Sequence, residues 1–351
     1  MRPATRALLA LVVLLTMIGV GASTAASDTS TLTNPKHFFW APGQNPSGTV
    51  SSVTNDLIYH GGNAGSGAIG VETTPAVYLI YWGAEWSTGF TTYDENGTPY
   101  SSATLQNYVN SFFGNVGGSP WAGVQTQYCR NVPAGVTSCA GIPGAQFITN
   151  PTHQLKGVWT DPTPVPDDIV TLGLSENLID DPIAAEAMRA SAHFNYDPNA
   201  TYIVLVPPRP VATGQPVYCG YHTQTTSIDG YGNPYRLQYA FIPFLNTNWP
   251  GLGEEGCGMH NVNATSDVFG NGIFDGYSIV TGHEYSEAVT DPDNFFSVQD
   301  GWNDAQTSEN GDKCAWYHTQ NIKLANHQFA VQPLWSNEAF DAGKDGCQVS
   351  R

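Results

Sequence analysis

Charge is scarce in this chain of 351 residues: 12% of the side chains are Asp, Glu, Lys or Arg, and only 12 residues are Lys or Arg. The 30 acids leave a formal charge of −18, so a nucleic-acid backbone or an anionic membrane surface is repelled on average. No C-x-x-C pair, G-x-S-x-G elbow or G-x-x-x-x-G-K-[ST] loop occurs. These absences remove the usual signatures of thiolate zinc sites, serine hydrolases of the elbow type and phosphate-loop nucleotide binding. Beyond the first residues, no stretch approaches the roughly 20 apolar residues that span a bilayer, and no internal repeat is evident.

What is plentiful is Gly (37), Pro (24), Tyr (17) and Trp (9). That mix suits a loop-rich α/β protein, with α+β also open, and excludes a coiled coil or helical bundle. At roughly 100–200 residues per domain, the length allows one large domain or two ordinary ones.

The opening stretch, MRPATRALLALVVLLTMIGVGASTAAS, sets Arg2 and Arg6 before an apolar run and ends in small residues near Ala25 or Ala26. This is the layout of a secretory signal peptide over residues 1–26, and it implies an exported, extracellular or wall-associated protein with no lasting membrane anchor. Residues 27–58 are rich in Ser, Thr, Asn, Pro and Gly without periodicity, and read as a flexible leader; the folded domain is expected over 59–351. Six cysteines remain after export: Cys129, Cys139, Cys219, Cys257, Cys314 and Cys347. An oxidising compartment and an even count favour disulfides. Short loops favour pairing neighbours in sequence, so that the last pair clamps an acidic segment.

Residues 76–83 (AVYLIYWG) and 201–207 (TYIVLVP) are short runs of β-branched and aromatic residues that read as buried strands. Residues 102–116 place Leu105, Tyr108, Val109 and Phe112 at helical spacing, and 180–194 form a second helix opened by acids and Pro. A third helix lies within 272–292 and looks half buried.

That third helix contains TGHEYSEAVTDP (281–292), an H-E-x-x-E string. Residues four apart on a helix share a face, so His283 and Glu287 aim an imidazole and a carboxylate at one point, with Glu284 alongside. H-E-x-x-H zinc hydrolases use this geometry, with the intervening Glu accepting a proton from water at the metal. Here Glu replaces the second His; zinc accepts carboxylate oxygen, but the added negative charge weakens its acidifying power. The expected set is therefore a divalent metal, zinc first, on His283, Glu287 and a third ligand, with Glu284 as catalytic base. Glu309 is the preferred third ligand and Asp293, ten residues after His283, the alternative. Asp312 and Asp291 are expected to orient those ligands.

Other residues were weighed against plainer roles. Asp267, Asn271 and Asp275 have a spacing that suits calcium, although turn chemistry accounts for them equally. His60 in YHGG and His222 in YCGYH more often satisfy a turn or the core. Trp82, Trp86, Trp121, Trp159, Trp249, Trp302, Trp316 and Trp335 read as core rather than as a carbohydrate platform. A pair of carboxylates acting on glycosides is a further, weaker reading.

The motif order YHGG (59–62), VYLIYWG (77–83), SPWAGVQTQY (119–128), YIVLV and YCGYH (202–206, 218–222), GHEYSEAVTDP and GW followed by ENGDKC resembles the secreted exordium-like, or phosphate-induced, family and its bacterial relatives. The resemblance spans most of residues 59–320 and is most specific at H-E-x-x-E-A-x-T-D-P and E-x-x-D-x-C. It implies an extracellular or wall-associated protein with a single metallopeptidase-like domain, in which His283, Glu284 and Glu287 are motif residues and Glu309 and Asp312 the downstream acids. On this reading the protein is a secreted metal-dependent hydrolase of peptides or another extracellular polymer. The alternative is a non-catalytic extracellular protein with a structural metal or none. Neither reading fixes an oligomeric state.

Overall fold

The structure, a computed structural model, describes residues 36–47, 53–62, 69–175, 181–228, 234–246, 256–292 and 300–351. The signal-peptide expectation, Asp293 and Trp249 lie outside the described residues. Among the described residues no helix is long and apolar enough to cross a membrane.

Six strands build one mixed central sheet: β1 (His37–Trp40), β2 (Ala76–Trp82), β3 (Leu155–Asp161), β4 (Ala200–Leu205), β5 (Tyr218–Ile228) and β6 (Pro234–Ile242). Their order is β1-β5-β6-β4-β2-β3. β3, β2, β4 and β6 run parallel to one another, and β5 pairs antiparallel with both β6 and β1. β2 and β4 are buried along their whole lengths, as expected of interior parallel strands covered on both faces, and their uninterrupted apolar runs made them legible in sequence. β1 is the departure: it lies inside the 27–58 stretch read as a leader, yet it is paired residue by residue with β5. Four residues among Pro, Gly and Ser carry too little periodicity to announce a strand; only the partner makes it one.

Three helices pack on this sheet: α1 (Ser102–Val116), α2 (Pro182–Phe194) and α3 (Asp275–Thr290). Ser101 caps α1 by accepting from the Thr104 amide, and Asp181 caps α2 by accepting from Ile183 and Ala184, which satisfies amides with no partner inside the helix. α3 is buried at every residue, not on one face. It lies between β5 on one side and a hairpin, β7 (Gln320–Leu324) with β8 (His327–Val331), on the other. A helix covered all round must find partners for each polar side chain it carries, and α3 carries Asp275, His283, Glu284 and Glu287.

The disulfides join Cys129 to Cys139, Cys219 to Cys257 and Cys314 to Cys347, the sequential pairing that short loops favour. The second fixes the start of β5 and the third fixes the turn following Glu309. Trp121, Trp302 and Trp335 are fully buried, with Trp82 and Trp86 nearly so. The indole N–H of Trp121 donates to the Gln332 carbonyl, that of Trp302 to the Cys129 carbonyl and that of Trp335 to the Asn337 side chain. Core placement is the plain reading made for most of the tryptophans, and it holds for these five, whereas Trp159 and Trp316 are half-buried.

Candidate metal centre

Register decides which side chains meet. In the β1–β5 ladder His37 stands opposite His222, and Phe39 opposite Gly220. Directly opposed residues share a face of the sheet, so both imidazoles and the Phe39 ring point the same way, toward α3. The two imidazole rings lie 5.2 Å apart, and Phe39 stacks on the His283 ring at 3.8 Å. Gly220 is needed there: a Cβ would come within 2.8 Å of Glu284 Oε1 and 3.0 Å of Val280, so the missing side chain lets α3 approach β5.

Seven side chains converge, in three overlapping sets: His37, His222 and Glu309; His222, Glu284 and Glu287; His283, Glu287 and Asp312. His283 Nε2 lies 3.0 Å from Glu287 Oε2, the i, i+4 pair of the helix, and 3.8 Å from Asp312 Oδ1. Around His222, Nδ1 is 3.2 Å from Glu284 Oε2 and 3.4 Å from Glu287 Oε2, while Nε2 is 3.5 Å from Glu309 Oε1. The other Glu309 oxygen lies 2.6 Å from His37 Nδ1. Glu309 thus meets His37 and His222, whereas Asp312 stands with His283 and Glu287. Asp291 terminates α3, where Oδ2 accepts from Asn303.

The orientation of these atoms is more telling than their proximity. His283 Nε2, Glu284 Oε1, Glu287 Oε2 and both Glu309 oxygens are fully buried and receive no backbone amide; the near neighbours of His283 Nε2, Glu287 Oε2 and the Glu309 oxygens are the imidazoles and acids of the cluster itself. Burying three imidazoles among several carboxylates is costly unless their charges are balanced. Something must offset that cost. Protons or cations are the two possibilities, and inward-facing carboxylate and imidazole lone pairs form the donor set that divalent zinc accepts.

The electrostatics describe the proton solution. Burial alone would lower His222, but Glu309, Glu284 and Glu287 outweigh it and raise it well above the ordinary imidazole value. Burial likewise opposes charge on His283 and is overcome by Glu287, which brings the imidazole up to about 9. Glu284 is pushed up to about 7 by burial. Glu309 goes the other way: burial would raise it, yet His37 and His222 hold it below the usual carboxylate range. Burial, and then Glu309, drives Asp291 well up. Without a cation, then, imidazolium and protonated carboxyl groups share the balance, an arrangement that a bound dication would replace.

Surrounding backbone grips the ligands. The Asp312 amide donates to Glu287 Oε1 at 2.8 Å. Gln332, just past β8, places its amide nitrogen 3.0 Å from His283 Nδ1 and donates to the Gly311 carbonyl. Gly311 itself has no room for a side chain, since a Cβ would lie 2.8 Å from Glu287 Oε1 and 2.9 Å from His283 Nδ1.

Sequence reasoning gave no weight to His37 or Gln332 and little to His222. His60 lies elsewhere, with Nε2 3.3 Å from the Asn303 carbonyl. At the calcium-like spacing, one Asp267 oxygen accepts from the amides of Phe269, Gly270 and Asn271, and Asp275 accepts from Val262, Asn263 and Gly272; this is the turn chemistry weighed for those residues.

A groove of about 810 Å³ adjoins the cluster, its wall including His37, Phe39, Trp40, Asp312, Lys313 and Trp316. His37 and Asp312 are the cluster members with exposed surface, at 20% and 28% of their side chains. No family model matches the chain, and neither a curated protein nor a solved structure matches it.

Proposed function

We propose that this chain is a divalent-cation-binding protein whose buried imidazole–carboxylate cluster is the site, and that the cation serves first to hold the fold. The observation that carries this reading is the convergence of buried imidazole nitrogens and carboxylate oxygens within one cluster, with no backbone amide to most of the facing atoms. His283 and Glu287 are the leading ligands with Asp312 beside them, and Glu309, the third ligand expected from sequence, stands instead with His222 and His37. A structural role is favoured by the complete burial of Glu284. Its carboxylate is engaged with His222 Nδ1, as a carboxylate that orients a ligating imidazole would be. A cation here ties β1, β5, α3 and the 309–312 turn together.

Hydrolysis is the second reading, and one observation favours it: the groove reaches the cluster at His37 and Asp312. When bound, a zinc ion would supply Lewis acidity toward a peptide or related carbonyl. Within this chain, Glu284, raised to about 7, has the proton affinity of a general base working near neutrality. Export, and kinship with the exordium-like proteins, belong to the same proposal. Three disulfides support the first, and the H-E-x-x-E and E-x-x-D-x-C strings support the second.

Metal analysis of the purified chain beside His283→Ala tests the site: stoichiometric metal in the wild type and its loss in the variant are expected, and a metal-free wild type would remove the proposal's basis. Glu284→Gln then separates the readings. Hydrolysis of a peptide library that collapses while metal is retained would establish the second; no hydrolysis by either protein leaves the structural role.

A further inference from the structure

We infer that the cluster is built for two divalent cations, one held by His283, Glu287 and Asp312 and the other by His37, His222 and Glu309. The inference rests on the metal reading above and extends it.

The first support is the His222 ring. Its two nitrogens face different acids: Nδ1 lies 3.2–3.4 Å from Glu284 and Glu287, and Nε2 lies 3.5 Å from Glu309. Lone pairs on an imidazole diverge within the ring plane, so a cation at Nε2 beside Glu309 stands off one edge while Glu287 and its partners stand off the other. In that arrangement Nδ1–H donates to Glu284, which fixes the tautomer and frees Nε2 to ligate.

Spacing is the second. Donors around a tetrahedral zinc at about 2.0–2.2 Å sit roughly 3.3–3.6 Å from each other. In the first set His283 Nε2 lies 3.0 Å from Glu287 and 3.8 Å from Asp312. In the second, His222 Nε2 lies 3.5 Å from Glu309 Oε1, and His37 Nδ1, at 2.6 Å from Oε2, must recede by some tenths of an ångström. His37 can do so, because one side of it opens on the groove.

Charge is the third. The sets and Glu284 bring four carboxylates and three imidazoles together. With the four acids ionised and the imidazoles neutral, one dication leaves two negative charges for protons to balance in the interior, whereas two dications balance the four. Lys36 and Lys313 are engaged by other acids, Lys36 with Asp181 and Lys313 with Asp304.

The test is a zinc count on the full-length chain. The protein as purified is equilibrated with excess zinc chloride, freed of unbound ion and analysed by mass spectrometry for zinc per chain; exchange into cobalt(II) provides an absorption spectrum that reports ligation directly. About two equivalents are expected, as in two-metal centres, with His37→Ala binding one and keeping the cobalt bands of the His283 set. A wild type that saturates at one equivalent, with His37→Ala unchanged, overturns the inference and leaves the single-cation proposal standing. A wild type that takes up none overturns both. If His37→Ala does not fold, His37→Gln keeps the length of the strand residue, and the wild-type count decides by itself.

Discussion

The two ends of α3 carry similar acids with opposite fates. At its start Asp275 is buried and raised by burial, but amides of Val262, Asn263 and Gly272 and the Asn263 side chain donate to it. Toward its end, Glu284 and Glu287 are equally buried, yet Oε1 of the one and Oε2 of the other receive no backbone amide, and the two side chains face imidazoles and other acids. What separates a structural carboxylate from a ligand is therefore not burial or sequence spacing but the supply of N–H donors. The loop before α3 supplies three amides to Asp275; the far end of the helix, packed against β5 and the 309–312 turn, supplies one, from Asp312 to Glu287 Oε1, and otherwise imidazoles and carboxylates.

Four substitutions can break or sharpen this contrast. Glu309→Ala has the largest expected effect: bound metal falls, and stability drops by about 3–5 kcal/mol, the usual consequence of removing one partner from a buried charged group, as read by denaturant unfolding of the metal-loaded chain. Asp275→Ala should cost about 1–3 kcal/mol through the amides it strands, with metal content unchanged; lost metal would show that the two ends are not independent. Gly311→Ala forces Glu287 or His283 aside and should weaken zinc binding by about ten- to a hundredfold, as disturbed ligand support does, measured by competition with a chelator.

The smallest effect lies away from α3. Glu186 on α2 is pushed up to about 7 by burial, against the pull of Arg189. Its folded value lies above the ordinary 4.5, so the folded chain holds this proton more tightly. The resulting stabilisation is fully present below about 4.5 and is lost as pH rises through about 7. Glu186→Gln should flatten that part of a melting-temperature profile without altering metal content, and an unchanged slope would contradict the assignment.

Much of the scaffold was legible in sequence because its signals are local. The apolar runs of β2 and β4, the spacing in α1 and the Asp-Pro opening of α2 each specify an element within a few residues. His283 and Glu287 were legible for the same reason, being one helical turn apart. His37 was not: its place depends on pairing across 185 positions with His222, and its own segment has the composition of a loop. Gln332 was hidden likewise, since only the hairpin's packing against α3 brings it to His283. Even α3, read as half buried, is enclosed because β5 and β8 cover opposite sides, a relation no single segment encodes.

The most direct measurement is anomalous diffraction at the zinc edge from crystals grown with zinc. The expected result is a strong peak among His283 Nε2, Glu287 Oε2 and the neighbouring acids, with those side chains drawn toward it. A map with no peak there, and the imidazoles hydrogen-bonded to the carboxylates, would show that protons alone balance the cluster and would contradict the metal reading.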